Sequence, residues 1–155
     1  MEIILDNTDM QILQLMQENA RISNVDMAKR LDMAPSAVLE RVKKLEQKKV
    51  IRSYTTSINP AAVGQKLLAF IFIKSNDGFG SGATGAALAK IPEVQEVHNI
   101  AGEDCYLAKV RTADSAHLMA LIRNEFAKIP TIHSTKTTIV LETVKEEQKL
   151  VVPTK

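Results

Sequence analysis

The sequence predicts an α+β fold in which three short helices precede a β-α-β-β-α-β unit. Two observations lead to this prediction. Apolar residues recur at helical spacing in the first third of the chain, whereas apolar stretches separated by turn signals follow Asn59 and Pro60. Right-handed βαβ crossovers fold the β-α-β-β-α-β unit into an antiparallel sheet with both helices on one face. We therefore expect a ferredoxin-like split arrangement.

The bulk composition indicates a soluble protein with two small domains. The 155 residues are 45% hydrophobic but only 4% aromatic, so the two cores must be built from aliphatic side chains. No stretch reaches transmembrane length, and the N-terminus lacks the basic region of a signal peptide. The single Cys105 cannot form an internal disulfide. We expect a cytoplasmic protein without a membrane segment.

The N-terminal helices form a helix-turn-helix pattern. A first helix is predicted from residue 7 or 8 to residue 17, and Ser23 caps the second. Asp32 stands where the chain reverses, since aspartate tolerates left-handed backbone geometry better than most residues. Pro35 occupies the first turn of the third helix, which we expect to end at about Lys48.

The third helix has an apolar face and a polar, cationic face. Val38, Val42 and Leu45 fall within one narrow arc and are expected to pack inward. The opposite face carries short polar groups and lysines, which suit base edges and phosphates. The candidate DNA-binding residues are Ser36, Ala37, Glu40, Arg41, Lys43 and Lys44.

Positive charge is concentrated around these helices. Residues 21–54 hold nine Lys and Arg against four Asp and Glu, a net charge of +5, whereas the remaining residues carry −3. A solvated helix face is the ordinary explanation of a charge run. The local excess favours a polyanionic partner, here double-stranded DNA.

The chain then divides at a hinge. Residues 50–56 are β-like and lead to Asn59-Pro60. We assign residues 1–52 to the helix-turn-helix domain, 53–64 to a hinge strand and linker, and 65–155 to the ferredoxin-like domain. Its strands are predicted at 67–75, 94–101, 105–112 and 132–144, with helices ending at 90 and spanning about 115–128. One sheet face lacks a cover from its own chain, and dimerisation is the simplest way to bury it.

Six segments form a specific pattern by their order and spacing: LDNTDMQIL, ENARISNVDMAKRL, RVKKLEQKKVI, INPAAVG, EVHNIAGEDCY and IVLETVK. The pattern covers residues 5 to about 153 and resembles the Lrp/AsnC family of feast/famine transcription regulators. This resemblance implies a DNA-binding domain whose recognition helix is the third helix. It also implies a C-terminal domain that binds amino-acid-like effectors, and homodimers that assemble into tetramers or octamers.

The resemblance further implies an effector site where dimers meet. The IAGEDCY turn and the segment from Ser134 to Thr137 align with the effector region of the family. A zwitterionic ligand needs an acceptor for its ammonium group, which Glu103 or Asp104 can supply, although solvated turn residues are the alternative interpretation. The candidate effector-binding residues are Ala101, Gly102, Glu103, Asp104, Cys105, Tyr106, Ser134, Thr135 and Thr137.

Four residues depart from the family pattern. Ala34 stands where a serine usually caps the recognition helix, and Lys49 stands at a glycine position that is expected to need a positive φ. Cys105 replaces an aspartate before the tyrosine of the effector turn, and Thr131 replaces a glycine. We therefore expect weaker ends on the third helix and an altered effector site.

Other chemistries have weaker support. Residues 80–85 spell G-x-G-x-x-G, but residues 75–79, at and beyond the end of the preceding strand, intervene, and too little chain follows for a doubly wound sheet. His98, His117, His133 and Cys105 lack the spacing of metal ligands. We predict no cofactor, metal or catalytic group. The alternatives to a DNA-binding regulator are a metabolite-sensing oligomer whose head binds protein, and a nucleotide-using enzyme.

Overall fold

The computed structural model describes residues 4–77 and 81–154, and the chain forms two compact units. We call Met1–Thr56 with Glu146–Lys155 the helical unit, and Ser57–Lys145 the sheet unit. The division expected from sequence placed residues 146–155 with the sheet. In the structure these last residues cluster with the helices instead.

The helical unit contains α1 (Asn7–Glu18), α2 (Asn24–Leu31) and α3 (Pro35–Gln47). Its core matches the predicted inward face of the third helix, because Val38, Val42 and Leu45 are all buried. In α1, Ile12 is fully buried, whereas Leu13 and Met16 pack at the margin of the core. Met27 and Ala28 of α2 complete this core.

The sheet unit has the predicted β-α-β-β-α-β order. Its elements are β1 (Leu67–Ser75), α4 (Ala83–Leu88), β2 (Val94–Asn99), β3 (Tyr106–Thr112), α5 (Ser115–Asn124) and β4 (Ile132–Ile139), with 3-10 turns at Pro60–Val63 and Phe126–Lys128. The strands lie in the order β2-β3-β1-β4, and each neighbouring pair is antiparallel. This is the ferredoxin-like arrangement expected from the sequence.

Both helices cover the same face of the sheet. Ala69, Ile71 and Ile73 alternate along β1 and are fully buried in one cluster with Leu88 of α4 and Leu118 of α5. Successive strand residues point to opposite faces. Phe70 and Phe72 therefore lie on the face away from the helices, where they are half-buried.

The last strand is shorter than predicted. The strand predicted from sequence continues to residue 144, but β4 ends at Ile139, which lies opposite Ala69. The Val140 N–H donates to the Leu68 carbonyl at 2.9 Å, and the following residues run past the start of β1. Without a partner strand, Leu141 and Val144 are more than nine-tenths exposed.

The hinge segment carries no strand in the part of the chain that the structure describes. Residues 52–59 are exposed, and the 3-10 turn that follows ends at Gly64, which has a φ of 78°. A β-prone sequence forms a strand only where another backbone offers hydrogen bonds. The Tyr54 hydroxyl donates instead to the Glu46 Oε1 at 2.8 Å. Desolvation of the hydroxyl, together with that carboxylate, raises the pKa of Tyr54 to about 12.

Candidate DNA-binding surface and effector site

The turn before α3 has the geometry that the sequence predicts. The Ser23 hydroxyl accepts from the Asp26 N–H at 3.0 Å and caps α2. Asp32 adopts the left-handed region with a φ of 51°, which lets the Met33 N–H reach the Ala28 carbonyl at 2.9 Å. Ala34 then precedes α3 without any side-chain cap.

The C-terminal end of α3 is closed by a left-handed lysine. Lys49 has a φ of 59°, as expected for a position that favours glycine. Its N–H donates to Glu46 and the Val50 N–H donates to Leu45, at 3.0 and 2.9 Å, which is the hydrogen-bond pattern of a Schellman motif. The backbone pattern therefore forms in spite of the lysine side chain.

Most of the candidate DNA-binding residues share one accessible face of α3. Ser36, Glu40, Lys43 and Lys44 are exposed, and Ala37 is half-buried beside them. Lys43 Nζ lies 3.8 Å from Glu40 Oε1, a loose pair between two exposed side chains. Such a pair contributes little, so the lysine stays available to an external anion.

Arg41 is placed differently from the other five candidates. Its Nη1 donates to Asp6 Oδ2 at 2.7 Å and to Asp9 Oδ1 at 2.8 Å. These two carboxylates also form the capping box of α1, which sequence reasoning missed although an Asp-x-x-Asp spacing was present. The Asp9 backbone N–H and the Arg41 guanidinium lower the pKa of Asp6. Arg41 therefore joins α3 to α1, and its charge is already matched by protein carboxylates.

The candidate effector segments lie at one end of the sheet. Tyr106 on β3 pairs with Ile73 on β1, and Ile73 pairs with Thr135 on β4. Neighbouring strands are about 4.8 Å apart, so the two segments are separated by about 10 Å. The turn before β3 is held in place because the Cys105 N–H donates to the Ile73 carbonyl at 2.9 Å.

The side chains of these candidates do not all point the same way. Thr135 and Thr137 face the same side as Ile73 and Ile71, whereas Ser134 faces the opposite side. All three are exposed on the edge strand. Of the turn residues, Ala101, Gly102 and Glu103 are exposed, and Asp104 and Cys105 are half-buried.

Tyr106 points inward rather than towards the accessible turn. It is only 5% exposed, and its ring packs so closely on α4 that a Cβ at Gly85 would lie 2.8 Å from the ring. Its hydroxyl donates to Asp77 Oδ2 at 3.5 Å. Tyr106 therefore supports the turn from inside the sheet unit.

A polar cluster beneath this turn was missed from sequence. The fully buried Thr84 Oγ1 lies 2.8 Å from Ser75 Oγ and 2.6 Å from Thr131 Oγ1. The Thr84 N–H also donates to Asp77 and is the largest cause of the lowered pKa of that carboxyl. Thr131, which departs from the family pattern, thus supplies a hydrogen-bonding partner for a buried hydroxyl. No local signal in the sequence links these four residues.

The structure gives little support to the alternative metal and nucleotide sites. His98 pairs with Glu96 at 3.1 Å and His117 with Glu93 at 3.2 Å, and no group of three potential metal ligands occurs among residues 4–77 and 81–154. In the glycine motif, Gly80 lies outside the described residues. The part that follows caps a helix of only six residues, with Gly82 at a φ of 66°. The described chain also has no helix long and apolar enough to cross a membrane.

Family comparisons match both units. Residues 5–52 match a winged helix-turn-helix DNA-binding domain, and residues 68–150 match the Lrp/AsnC ligand binding domain. The leucine-responsive regulatory protein of Salmonella typhimurium is 36% identical over 153 residues, covering 97% of this chain and 93% of that protein. The protein of the same name from Escherichia coli K12 is 35% identical with the same coverage.

Solved structures show the same fold. Escherichia coli AsnC is similar with a TM-score of 0.86 at 26% identity, covering 97% of this chain and all of that one. A Neisseria meningitidis transcriptional regulator in complex with L-methionine gives 0.87 at 29% identity, covering 96% and 97%. The feast or famine regulatory protein of Mycobacterium tuberculosis, also complexed with L-methionine, gives 0.88 at 31% identity, covering 97% and 100%.

Proposed function

This chain belongs to the Lrp/AsnC family of DNA-binding transcriptional regulators, and we propose that it contacts DNA through the exposed face of α3 and senses an amino acid or a related metabolite through its sheet unit. The main support for DNA contact through α3 is that its polar, cationic face is exposed. Ser36, Glu40, Lys43 and Lys44 are all accessible on the helix that follows the turn. A helix in this position places its N-terminal side chains against base edges in the major groove.

The chemistry of each side chain on α3 suggests whether it contacts phosphates or base edges. Lys43 and Lys44 have flexible cationic groups that suit phosphate oxygens, which carry no sequence information. Ser36 and Glu40 lie nearer the start of α3, where short polar groups reach base edges. We assign the lysines to affinity, and Ser36 and Glu40 to the choice of site.

A mobility-shift assay with genomic and random fragments tests this assignment. We expect the wild-type chain to prefer some genomic fragments, with an affinity that falls steeply as salt rises from about 50 to 200 mM. Glu40→Ala should change the preference among fragments. An unchanged preference would mean that the reading face lies elsewhere, and an affinity independent of salt would exclude phosphate contacts as its basis.

The proposed effector site is the turn at residues 101–105 together with the exposed edge of β4. Support comes from the shared end of the sheet and from L-methionine in two similar regulators. Because Cys105 carries no acidic group, Glu103 and Asp104 are the candidates to accept hydrogen bonds from an ammonium group. Tyr106 holds the turn from below.

A thermal-shift screen with the common amino acids, followed by calorimetry on Glu103→Ala and Asp104→Ala, tests this site. We expect at least one amino acid to raise the melting temperature, and at least one substitution to weaken its binding. Unchanged affinity in both variants would move the pocket elsewhere. The absence of any stabilising amino acid would indicate a regulator without effector control.

We also propose that the chain forms homodimers that assemble further, to tetramers or octamers. The sheet face carrying Phe70 and Phe72 lies away from both helices of its own unit. The β-prone hinge at residues 52–59 is exposed and lacks a strand partner in the described chain. A second copy can satisfy both features, and ligand binding where dimers meet would then be coupled to assembly size.

A further inference from the structure

The C-terminal tail lies on the helical unit. Residues 146–155 cluster with residues 1–56 although they follow β4 of the sheet unit along the chain. Only six residues, 140–145, separate the end of β4 from this tail. The sheet unit is therefore joined to the helical unit at both of its ends, by the hinge and by the tail. We call the described part of the tail, residues 146–154, the strap.

The strap is held by a two-way hydrogen-bond contact with α1. The Gln17 Nε2 donates to the Leu150 carbonyl at 3.0 Å, and the Leu150 N–H donates to Gln17 Oε1 at 2.8 Å. One side-chain amide thus binds a backbone residue in the manner of a neighbouring strand. Lys149 Nζ lies 4.0 Å from Glu18 Oε1, and this exposed pair adds little.

The strap has a sheltered side and an exposed side. Val152 is half-buried, whereas the preceding Val151 is 97% exposed. A groove of about 410 Å³ lies where the strap crosses the helical unit, and its lining includes Leu13, Met16 and Val50. Those three residues also pack on the core that holds α3. Leu150 and Val152 of the strap line the same groove, so the strap borders the layer directly outside the core of the helix-turn-helix.

We propose that the strap is a second tether whose docking sets the affinity of the helical unit for DNA. A unit held by two chain segments samples fewer positions than one held by the hinge alone. In an assembly that presents two recognition helices about one helical turn of DNA apart, this restriction lowers the entropy lost on binding. The tether begins at β4, which also carries the candidate effector residues. This proposal rests on the DNA-binding function proposed above and links it to the effector site.

Two variants release the strap, and each has a matched control. Leu150→Pro removes the donated N–H, whereas Val151→Pro places the same ring at an exposed neighbour. Gln17→Ala removes the amide, whereas Gln14→Ala alters an exposed glutamine of the same helix. In the full-length protein we expect the Leu150 N–H to exchange about tenfold faster in Gln17→Ala, corresponding to about 1.4 kcal/mol. Leu150→Pro has no N–H at this position, so release of its strap is read from faster proteolysis of residues 146–152. The controls should exchange like the wild type.

DNA binding by the same proteins then tests the role of the strap. We expect the releasing variants to bind DNA about tenfold more weakly than the wild type, with an unchanged dependence on salt because no phosphate contact is lost. Wild-type affinity in a variant whose strap exchanges freely would overturn the proposal. A wild-type chain that binds no DNA would instead refute the function proposed above.

An insertion separates tethering from simple packing. Six Gly and Ser residues placed between Glu142 and Thr143, both exposed and outside β4, leave every docking contact intact but lengthen the connection to the sheet. We expect slow exchange in the strap together with DNA affinity as weak as in Leu150→Pro. Wild-type DNA affinity in the insertion variant would show that the strap only covers the core, and would overturn the tether.

Discussion

At the scale of single residues, the cationic side chains of α3 differ in what they contact. Lys43 and Lys44 are exposed, and the contact between Lys43 Nζ and Glu40 Oε1 is long, at 3.8 Å. Arg41 instead makes two short bonds to Asp6 and Asp9, which raise the pKa of its guanidinium. We infer that the lysines meet phosphates, whereas Arg41 holds the helix in position.

Replacing Lys44 and Arg41 in turn should distinguish these roles. Lys44→Gln should weaken binding to all DNA sequences and reduce the slope of log affinity against log salt by about 1. Arg41→Gln should leave the slope unchanged but lower the free energy of unfolding by about 1 kcal/mol or less, because the lost ion pairs are partly exposed. Mobility shifts at several salt concentrations and urea unfolding measure both. A slope reduced by Arg41→Gln would return Arg41 to the DNA-contacting set.

The missing cap of α3 offers a second change at this scale. Ala34 has extended backbone angles, with a φ of −71° and a ψ of 139°, and makes no cap hydrogen bond. Ala34→Ser should add a side-chain hydroxyl acceptor for the N–H groups of Ser36 and Ala37 in the first turn and increase the free energy of unfolding by about 1 kcal/mol. Urea unfolding measures it, with Ala20→Ser in an exposed turn as the control. Equal shifts in the two variants would argue against capping.

At the scale of elements, hydrogen bonds tie the end of β1 to α4 and to the start of β4. Thr84 contributes both its hydroxyl and its backbone N–H, and it contacts Ser75, Asp77 and Thr131. The Asn76 N–H also donates to the Thr131 carbonyl at 2.8 Å. Because Tyr106 reaches Asp77 as well, this network supports the turn that we propose as the effector site.

Removing the central hydroxyl should weaken this support. Thr84→Val keeps the shape of the side chain but leaves the Ser75 and Thr131 hydroxyls without their shared partner, which should cost about 1–3 kcal/mol of unfolding free energy. Thr143→Val, at an exposed position beyond the end of β4, is the matched control and should change stability by no more than about 0.5 kcal/mol. Thermal and urea unfolding provide the comparison. Similar small effects at both positions would mean that the network carries little energy.

At the scale of the whole molecule, the sheet face that points away from α4 and α5 is the main reason to expect assembly. Phe72 lies on this face, and Lys136 Nζ on the neighbouring strand lies 4.8 Å from the centre of its ring. On the opposite side of the unit, Met119 of α5 is also apolar and 52% exposed. Phe72 and Met119 lie on different surfaces of the sheet unit. A substitution at each position therefore distinguishes an interface from a surface that is merely exposed.

Introducing a carboxylate at each position tests the interface. Phe72→Glu should shift the assembly to smaller species at micromolar concentration and weaken DNA binding, because burying the carboxylate at an interface costs desolvation energy that pairing with the adjacent Lys136 offsets only in part. Met119→Glu should leave both properties unchanged. Sedimentation velocity measures the size and mobility shift measures the binding. Wild-type assembly in the Phe72→Glu variant would place the interface on another surface.

The sequence by itself determined the features that depend on neighbouring residues. Caps and turns act within a few residues, so Ser23, Asp32 and the left-handed position of Lys49 were predictable, and helical periodicity identified Val38, Val42 and Leu45 as core. The order of strands and helices followed from right-handed crossovers.

Only the tertiary structure decided contacts between residues that are distant in the chain. Three hydrogen-bonded pairs illustrate this: Arg41 with Asp9, Thr84 with Thr131, and Gln17 with Leu150. Their members are separated by 32, 47 and 133 residues along the chain, respectively. None of these pairs leaves a periodic or local signal, because each depends on the packing of whole elements. For the same reason, the inward direction of Tyr106 and the early end of β4 emerged only once the strands were placed beside one another.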